Sequence, residues 1–248
     1  MMNKCIGARS KGRNHDICQD EILYKNYEHI SVIAVCDGAG SKEYSHIGAR
    51  ISLYCLNRML KAIDHDRAID ELNIEAFKDE LLYEIKSAIK LEAWKNDRAI
   101  SEYASTMVFT AIIGGKSFIT GHIGDGIILA YVSDHLEPIS EAENGEYKNE
   151  TYFLTDADVN KHFVINKYDL SDEHKAFLVC TDGIADLVYQ KRENGYVISE
   201  AAKHMCEWLI EASDEEEIAN IGLAYESNLK DVFSTKSRDD LSICVWAR

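Results

Sequence analysis

Several features that mark other classes of protein are scarce in this sequence of 248 residues. It has a single proline, Pro138, and no tract rich in serine, glycine and proline, so we expect no long linker and predict one domain over residues 1–248. No apolar run approaches the ~18 residues that a membrane helix needs, and the first residues lack the apolar core of a signal peptide. These absences predict a cytoplasmic protein that does not bind membranes.

Paired cysteines and excess positive charge are also missing. The seven cysteines are an odd number without C-x-x-C spacing, which predicts small buried side chains and neither a disulfide framework nor a zinc site. The 43 acidic residues outnumber 27 basic ones and give a formal net charge of -16. Such a charge repels nucleic acid, which is therefore not an expected partner. It would also repel a phosphate-bearing substrate unless bound divalent cations reversed the local field.

What the chain does contain is enough apolar material for a sizeable core, at 46% hydrophobic residues. Helical spacing of apolar residues predicts two long helices, over 45–63 and about 75–94. The period then changes, and residues 106–132 predict three strands joined by glycine turns, an antiparallel meander. Further elements are predicted as strands at 151–155, 162–168, 176–180 and 241–247, helices near 184–189, 199–210 and 215–229, and a polar loop at 141–150. Because strands and helices come in blocks, we predict an α+β protein with antiparallel sheets packed against helices.

Five aspartates share one context, the edge of a predicted sheet. The apolar run at 31–36 shows no polar alternation, which predicts a strand covered on both faces, and it ends in Asp37-Gly38-Ala39-Gly40. Any one of these aspartates could be an ordinary turn residue. Five together indicate a carboxylate cluster that cations neutralise, and oxygen ligands suit Mg²⁺ or Mn²⁺ better than zinc. The five are Asp20, Asp37, Asp125, Asp182 and Asp239.

The ordered set of short motifs resembles the metal-dependent serine/threonine phosphatases of the protein phosphatase 2C type, bacterial branch. The motifs that carry the resemblance are Gln19-Asp20, Asp37-Gly38-Ala39-Gly40, Ser105-Thr106, Gly124-Asp125, Thr181-Asp182-Gly183-Ile184-Ala185-Asp186 and Asp239-Asp240-Leu241-Ser242. The resemblance implies a four-layer αββα sandwich, two antiparallel sheets flanked by helix pairs, with a two-metal site at one end. It also implies hydrolysis of phosphoserine and phosphothreonine in proteins by a metal-activated water, with phosphorylated proteins as partners of a monomeric enzyme.

The same resemblance assigns roles to individual residues. Asp37 matches the carboxylate that bridges two Mn²⁺ or Mg²⁺ ions, and Gly38 matches a carbonyl ligand. Asp182 and Asp239 match ligands of the second ion, and Asp20 matches the acid that holds metal-bound waters. A third, weaker metal position corresponds to Asp125 with Asp182 and Asp186.

The sequence departs from the family pattern at three places. Ala39 stands where eukaryotic members have a histidine proposed as general acid, which leaves metal-bound water or His46 as the alternative. The phosphate-binding arginine is replaced by His15, with Arg13 close by, and we expect one of these to contact phosphate. Gly126 replaces a common serine, which changes only the turn.

Other interpretations predict different chemistry. A cysteine-dependent phosphatase needs an arginine six positions after its cysteine, and no cysteine here has one. The segment containing Asp156 and Asp158 resembles the D-x-D-x-V motif of haloacid-dehalogenase-like phosphatases, although that motif belongs to a parallel α/β fold. A catalytically silent domain of the phosphatase fold, acting as a regulatory or binding module, is the alternative from a different class. The complete set of oxygen ligands favours an active enzyme.

Overall fold

The computed structural model describes residues 3–13, 15–66, 72–141 and 151–248. Within them lie twelve strands and six α-helices. The strands are β1 Lys4–Ser10, β2 Glu21–Asn26, β3 Ile30–Cys36, β4 Met107–Ile113, β5 Ser117–Ile123, β6 Ile127–Val132, β7 His135–Ser140, β8 Val164–Asp169, β9 His174–Cys180, β10 Tyr189–Arg192, β11 Gly195–Ile198 and β12 Leu241–Ala247. The helices are α1 Ser45–Asp66, α2 Ile74–Lys95, α3 Val159–His162, α4 Asp182–Val188, α5 Glu200–Glu211 and α6 Glu215–Asp231.

Two five-stranded antiparallel sheets form the centre of the fold. The first sheet has the order β2-β3-β4-β5-β8 and the second has β1-β12-β9-β6-β7, while β10 and β11 form a separate hairpin. One apolar cluster joins the first sheet to α1 and α2, another joins the second sheet to α4, α5 and α6, and a third lies between the sheets. The prediction of an α+β four-layer αββα sandwich is therefore confirmed.

Strand β3 shows why its sequence has no polar alternation. Ile30, Val32, Ala34 and Cys36 pack in the cluster with α1 and α2, whereas Ile33 and Val35 pack between the sheets. Every residue of the strand is buried. The predicted strand covered on both faces is confirmed, and it delivers Asp37 to the end of the sandwich.

The predicted long helices agree with the structure to within three residues at each end. Asn73 is the N-cap of α2, and its side chain accepts a hydrogen bond from the backbone N–H of Ala76 at 3.1 Å. Asp214 is the N-cap of α6 and accepts a hydrogen bond from the backbone N–H of Glu217 at 2.9 Å. Such side-chain caps satisfy backbone donors that the first helical turn leaves unpaired. No helix in the described ranges combines the length and apolar character of a membrane span.

The predicted three-stranded meander is wrong in its last strand. Strands β4 and β5 pair as expected, but β6 pairs with β7 and β9 in the second sheet. The chain leaves the first sheet at Gly124, whose φ of 110° favours glycine. The turn Gly124-Asp125-Gly126 is therefore a crossing between sheets and not a hairpin, which places Asp125 where the two sheets meet.

Other expectations from the sequence need smaller corrections. Residues 151–155 are not a strand, because Leu154 makes an isolated backbone hydrogen bond to Ser105 and the chain then turns into α3. The strand predicted at 162–168 begins two residues later. Of the loop predicted at 141–150, residues 142–150 lie outside the described residues. The sequence pattern predicts no strand at β1, β7 or the β10–β11 hairpin. The hairpin strands are four residues long and largely exposed, whereas β1 is largely buried.

Candidate metal centre

Three of the predicted aspartates converge at one end of the sandwich. Asp37 follows β3, Asp125 lies in the crossing between β5 and β6, and Asp182 is the first residue of α4 after β9. One carboxylate oxygen of each lies within 4.8 Å of the other two. Because β3 belongs to the first sheet and β9 to the second, the cluster is built from both halves of the fold.

The backbone around Asp37 is held by the segment that precedes β4. The N–H of Asp37 donates to the Thr106 hydroxyl at 3.0 Å, and the N–H of Thr106 donates to the Asp37 carbonyl at 2.8 Å. Gly38 faces Ser105 in an antiparallel bridge whose hydrogen bonds are made by the residues on either side. In such a pair the intervening carbonyl points away from the partner strand, which leaves the Gly38 carbonyl free of this ladder, as a ligand role requires.

Asp20 lies beneath Asp37 and is 2% exposed. Its Oδ2 accepts the Thr181 hydroxyl at 2.9 Å, whereas its Oδ1 is buried without a hydrogen-bond partner. Burial raises the pKa of Asp20 to about 6. Burial, followed by the charges of Asp20 and Asp182, raises the pKa of Asp37 well above its usual range. Without a cation, the folded protein therefore opposes full ionisation of this pair.

Asp182 and Asp125 face each other across the two sheets. Burial, then the charges of Asp125 and Asp239, raise the pKa of Asp182 to about 8. Its Oδ1 accepts the N–H of Gly183 at 2.6 Å, within the first turn of α4. Asp125 accepts the Thr151 hydroxyl on Oδ2 at 2.6 Å, and its Oδ1 is buried without a partner.

Asp239 lies outside this tight group. Its side chain is 52% exposed, and it shares a cavity of about 150 Å³ with Asp182 and Asp186. Lys236 lines the same cavity. The structure thus brings Asp239 and Asp186 to the same end of the molecule as Asp182, on the solvent side of the cluster.

Of the two residues expected to contact phosphate, only His15 lies beside the acidic cluster. His15 lies with Nε2 at 4.0 Å from Asp239 Oδ1, so the structure brings it to the cluster. Arg13 is exposed, and no hydrogen bond or ion pair among the described residues joins it to the five aspartates. His46 lies in the first turn of α1, where burial followed by the charge of Arg50 lowers its pKa. No hydrogen bond or ion pair in the described ranges links His46 to these carboxylates.

Three residues near the cluster were missed from the sequence. Arg9 donates to the Asp20 carbonyl at 2.6 Å and pairs with Glu21 at 3.0 Å, supporting the chain at the start of β2. Thr151 contacts Asp125, and Asp240 is a buried carboxylate beside Asp239. Only Asp240 had a signal, as the second member of an Asp-Asp pair at the start of a strand.

The donor set fits divalent cations. Carboxylate oxygens within 4.8 Å of one another repel when ionised, and two buried oxygens, on Asp20 and Asp125, have no partner. Hard oxygen ligands without histidine or cysteine in the group are those that Mg²⁺ and Mn²⁺ prefer. A cation among them would supply the missing partner and remove the repulsion.

Comparison with protein families identifies the chain. A model of the protein phosphatase 2C family matches residues 8–232. The chain belongs to the protein phosphatase 2C family. No curated protein matches the sequence.

Solved structures share the family fold at low identity. Serine/threonine phosphatase Stp1 from Staphylococcus aureus has a TM-score of 0.64 and 16% identity, covering 100% of this chain and 96% of that one. The serine/threonine phosphatase PstP/Ppp of Mycobacterium tuberculosis has a TM-score of 0.65 and 13% identity, with 100% and 99% covered. RsbX in complex with magnesium has a TM-score of 0.55 and 12% identity, with 99% and 94% covered. The TM-scores establish a shared fold.

The fold and local structure exclude the interpretations based on other phosphatase classes. Both large sheets are antiparallel, whereas the D-x-D-x-V motif requires a parallel α/β fold. Asp156 instead accepts the backbone N–H of Phe153 at 2.8 Å in a turn before α3. Five of the cysteines are buried, and burial raises the pKa of the thiols of Cys36, Cys55, Cys180, Cys206 and Cys244, which disfavours the nucleophilic thiolate.

Proposed function

We propose that this protein is a phosphatase that hydrolyses phosphoserine and phosphothreonine monoesters in other proteins. The observation that carries the proposal is the group Asp37, Asp125 and Asp182, with two buried carboxylate oxygens left unpartnered nearby, in a chain of the protein phosphatase 2C family. The resemblance to bacterial serine/threonine phosphatases supports this substrate class. We propose phosphorylated proteins as the partners and a monomer as the working form.

The residues that would hold Mn²⁺ or Mg²⁺ are those whose oxygens meet at this end of the sandwich. They are Asp37, the Gly38 carbonyl, Asp182 and Asp239 for two ions, with Asp20 behind them and Asp125 beside a third. When bound, the cations supply Lewis-acid activation of water and neutralise phosphoryl charge. The magnesium complex of RsbX supports this choice of ion.

The chain's own residues then have separate tasks. Thr106 holds the backbone of Asp37 in place, and Thr181 donates to the Asp20 carboxylate, which limits how far this carboxylate must reorganise during the reaction. His15, next to Asp239, presents an imidazole at the edge of the acidic cluster and would bind a phosphoryl oxygen there. No cysteine or histidine among the described residues forms a nucleophile–base pair in the cluster, which favours direct attack by water without a covalent intermediate.

The proposal is tested by calorimetric titration with Mn²⁺ beside assays on an aryl phosphate and a phosphopeptide. We expect metal-dependent turnover of both substrates, and no phosphorylated residue trapped during turnover. A trapped adduct on Asp156 or on a cysteine would refute direct attack by water. If the protein binds cations but hydrolyses neither substrate, the regulatory module is the correct function.

A further inference from the structure

Asp240 is a buried carboxylate that none of the proposed metal roles uses. It is 2% exposed, and its two oxygens accept the backbone N–H groups of Gly12 and Gln19, each at 2.6 Å. These amides stand near the two ends of the loop between β1 and β2, residues 11–20. The Asp240 carboxylate therefore joins Gly12, near the start of this loop, to Gln19, near its end.

The same carboxylate faces the residue in the middle of the loop. His15 Nδ1 lies 3.0 Å from Asp240 Oδ2, close enough for an ion pair although outside hydrogen-bond alignment. Its Nε2 lies 4.0 Å from Asp239 Oδ1. The imidazole thus spans the space between the buried Asp240 and the half-exposed Asp239. We propose that Asp240 is a positioning residue for substrate binding, which holds the 11–20 loop so that His15 faces the entering phosphate.

Close backbone packing fixes where the loop sits. A Cβ on Gly12 would lie 2.6 Å from the carbonyl carbon of Asp239 and 2.7 Å from the carbonyl oxygen of Arg238. There is no room for a side chain, so the loop lies directly on the residues that lead into β12. At the other end, the Gln19 side chain donates to the Ser45 hydroxyl at 2.6 Å and ties the loop to α1.

This inference rests on the proposed function, because a phosphate monoester must approach a cluster of carboxylates. An imidazole N–H held at the edge of that cluster can donate to a phosphoryl oxygen, whereas the acidic side chains around it cannot when they are ionised. Hydrogen bonds from the Gly12 and Gln19 amides to an ionised carboxylate are stronger than hydrogen bonds to a neutral acceptor. Asp240 can therefore hold the loop that carries His15 more firmly than an amide side chain could.

The test replaces Asp240 by asparagine. Asn offers one carbonyl acceptor and one NH₂ donor, so one of the two loop amides would face a donor and lose its hydrogen bond. We expect Asp240→Asn to raise KM for an aryl phosphate and a phosphopeptide about tenfold, with kcat changed less than threefold. Affinity for Mn²⁺, measured by calorimetry, should stay unchanged. Gly12→Ala, which pushes the same loop outward, should raise KM in the same way.

A double-mutant cycle asks whether Asp240 acts through His15. In a His15→Ala background, the effect of Asp240→Asn on KM should disappear, because the residue being positioned is gone. If the two substitutions raise KM independently, or if Asp240→Asn leaves KM unchanged, the positioning role is wrong.

Asp64 provides a matched control. It is also buried and also accepts two backbone N–H groups, from His29 at 2.7 Å and Ile30 at 2.8 Å, at the end of β3 opposite Asp37. Both N–H groups are accepted by one oxygen, Oδ1, which asparagine could replace, so the control is Asp64→Ala, which removes that acceptor. We expect Asp64→Ala to lower the melting temperature at least as much as Asp240→Asn while leaving KM unchanged. An equal rise of KM in Asp64→Ala would show a general structural effect and overturn the proposal.

Binding of inorganic phosphate tests the positioning role of Asp240 independently of the proposed enzymatic activity. Its affinity for the Mn²⁺-loaded protein is measured by calorimetry without any need for turnover. Weaker phosphate binding in Asp240→Asn supports the positioning role even if the wild-type protein hydrolyses nothing, an outcome that would refute only the enzymatic activity. Equal phosphate binding in both proteins overturns the positioning role, whatever the turnover.

Discussion

Replacing Asp182 by asparagine should stabilise the metal-free protein at alkaline pH. Burial and the charges of Asp125, Asp239 and Asp20 raise the pKa of Asp182 from 3.8 to about 8. Between these values the folded protein holds a proton that the unfolded chain has released. The free energy of unfolding of the metal-free protein therefore falls as pH rises from about 4 to about 8.

The structure bounds the size of this effect. One pKa unit corresponds to about 1.4 kcal/mol, so the rise to about 8 sets a ceiling of about 5 kcal/mol at pH 8. Partial access of water to Asp182 lowers this figure, and the lost carboxylate at the start of α4 costs about 0.3–1 kcal/mol of favourable helix-dipole interaction. Asparagine retains the acceptor for the Gly183 N–H. We expect a net gain of about 1–3 kcal/mol at pH 8, shrinking towards zero near pH 4.

Urea unfolding of both proteins, in EDTA and in excess Mn²⁺, measures this effect. In EDTA at pH 8 the variant should unfold at higher urea concentration than wild type, with a smaller difference at pH 5. In Mn²⁺ the difference in stability between the two proteins should become smaller or change sign. A ligand that binds only the folded state stabilises wild type by about 2.7 kcal/mol at a concentration 100 times its Kd. A variant no more stable than wild type in EDTA at pH 8 would refute the proposed repulsion among these carboxylates.

Four further substitutions test three of the proposed ligands and one hydrogen-bond partner of a ligand. Asp37→Asn and Asp239→Asn should each reduce kcat/KM for an aryl phosphate by about 100-fold or more at saturating Mn²⁺ while leaving the fold intact, and a near wild-type rate would contradict the ligand assignment. Asp125→Ala should retain two bound ions by calorimetry but lower turnover and raise the Mn²⁺ concentration needed for activity. Thr151→Val removes the 2.6 Å hydrogen bond to Asp125 and should raise the Mn²⁺ concentration needed for activity by a smaller amount. An unchanged Mn²⁺ requirement would exclude a role of Thr151 in holding Asp125.

Elements with a strong local pattern were predictable from the sequence. The apolar spacing of α1 and α2 and the unbroken apolar run of β3 reflect burial that is continuous along the chain. The choice of sheet for β6 was not predictable, because Gly124-Asp125-Gly126 has the composition of a hairpin turn. The packing of β6 against β9 decides its sheet, and β9 lies more than forty residues later in the sequence.

The candidate site shows the same division between local and distant information. The order of the aspartates along the chain identified the residues, but not that Asp125 belongs to the tight group while Asp239 is half exposed. The role of Asp240 depends on burial and on amides more than 220 residues away in sequence. Neither property leaves a periodic signal in the sequence.

The pairing of β1 with β12 sets the order in which the site can be completed during synthesis. His15 and Asp20 follow β1 in the sequence. Strand β1 joins the second sheet only when β12 adds between β1 and β9. Contacts of such large sequence separation form late, because loop closure must precede them. A ribosome-bound chain from which β12 has not yet emerged would therefore hold Asp37 and Asp125 in an incomplete cluster, and we expect the nascent chain to bind metal at this site only after β12 has joined the second sheet.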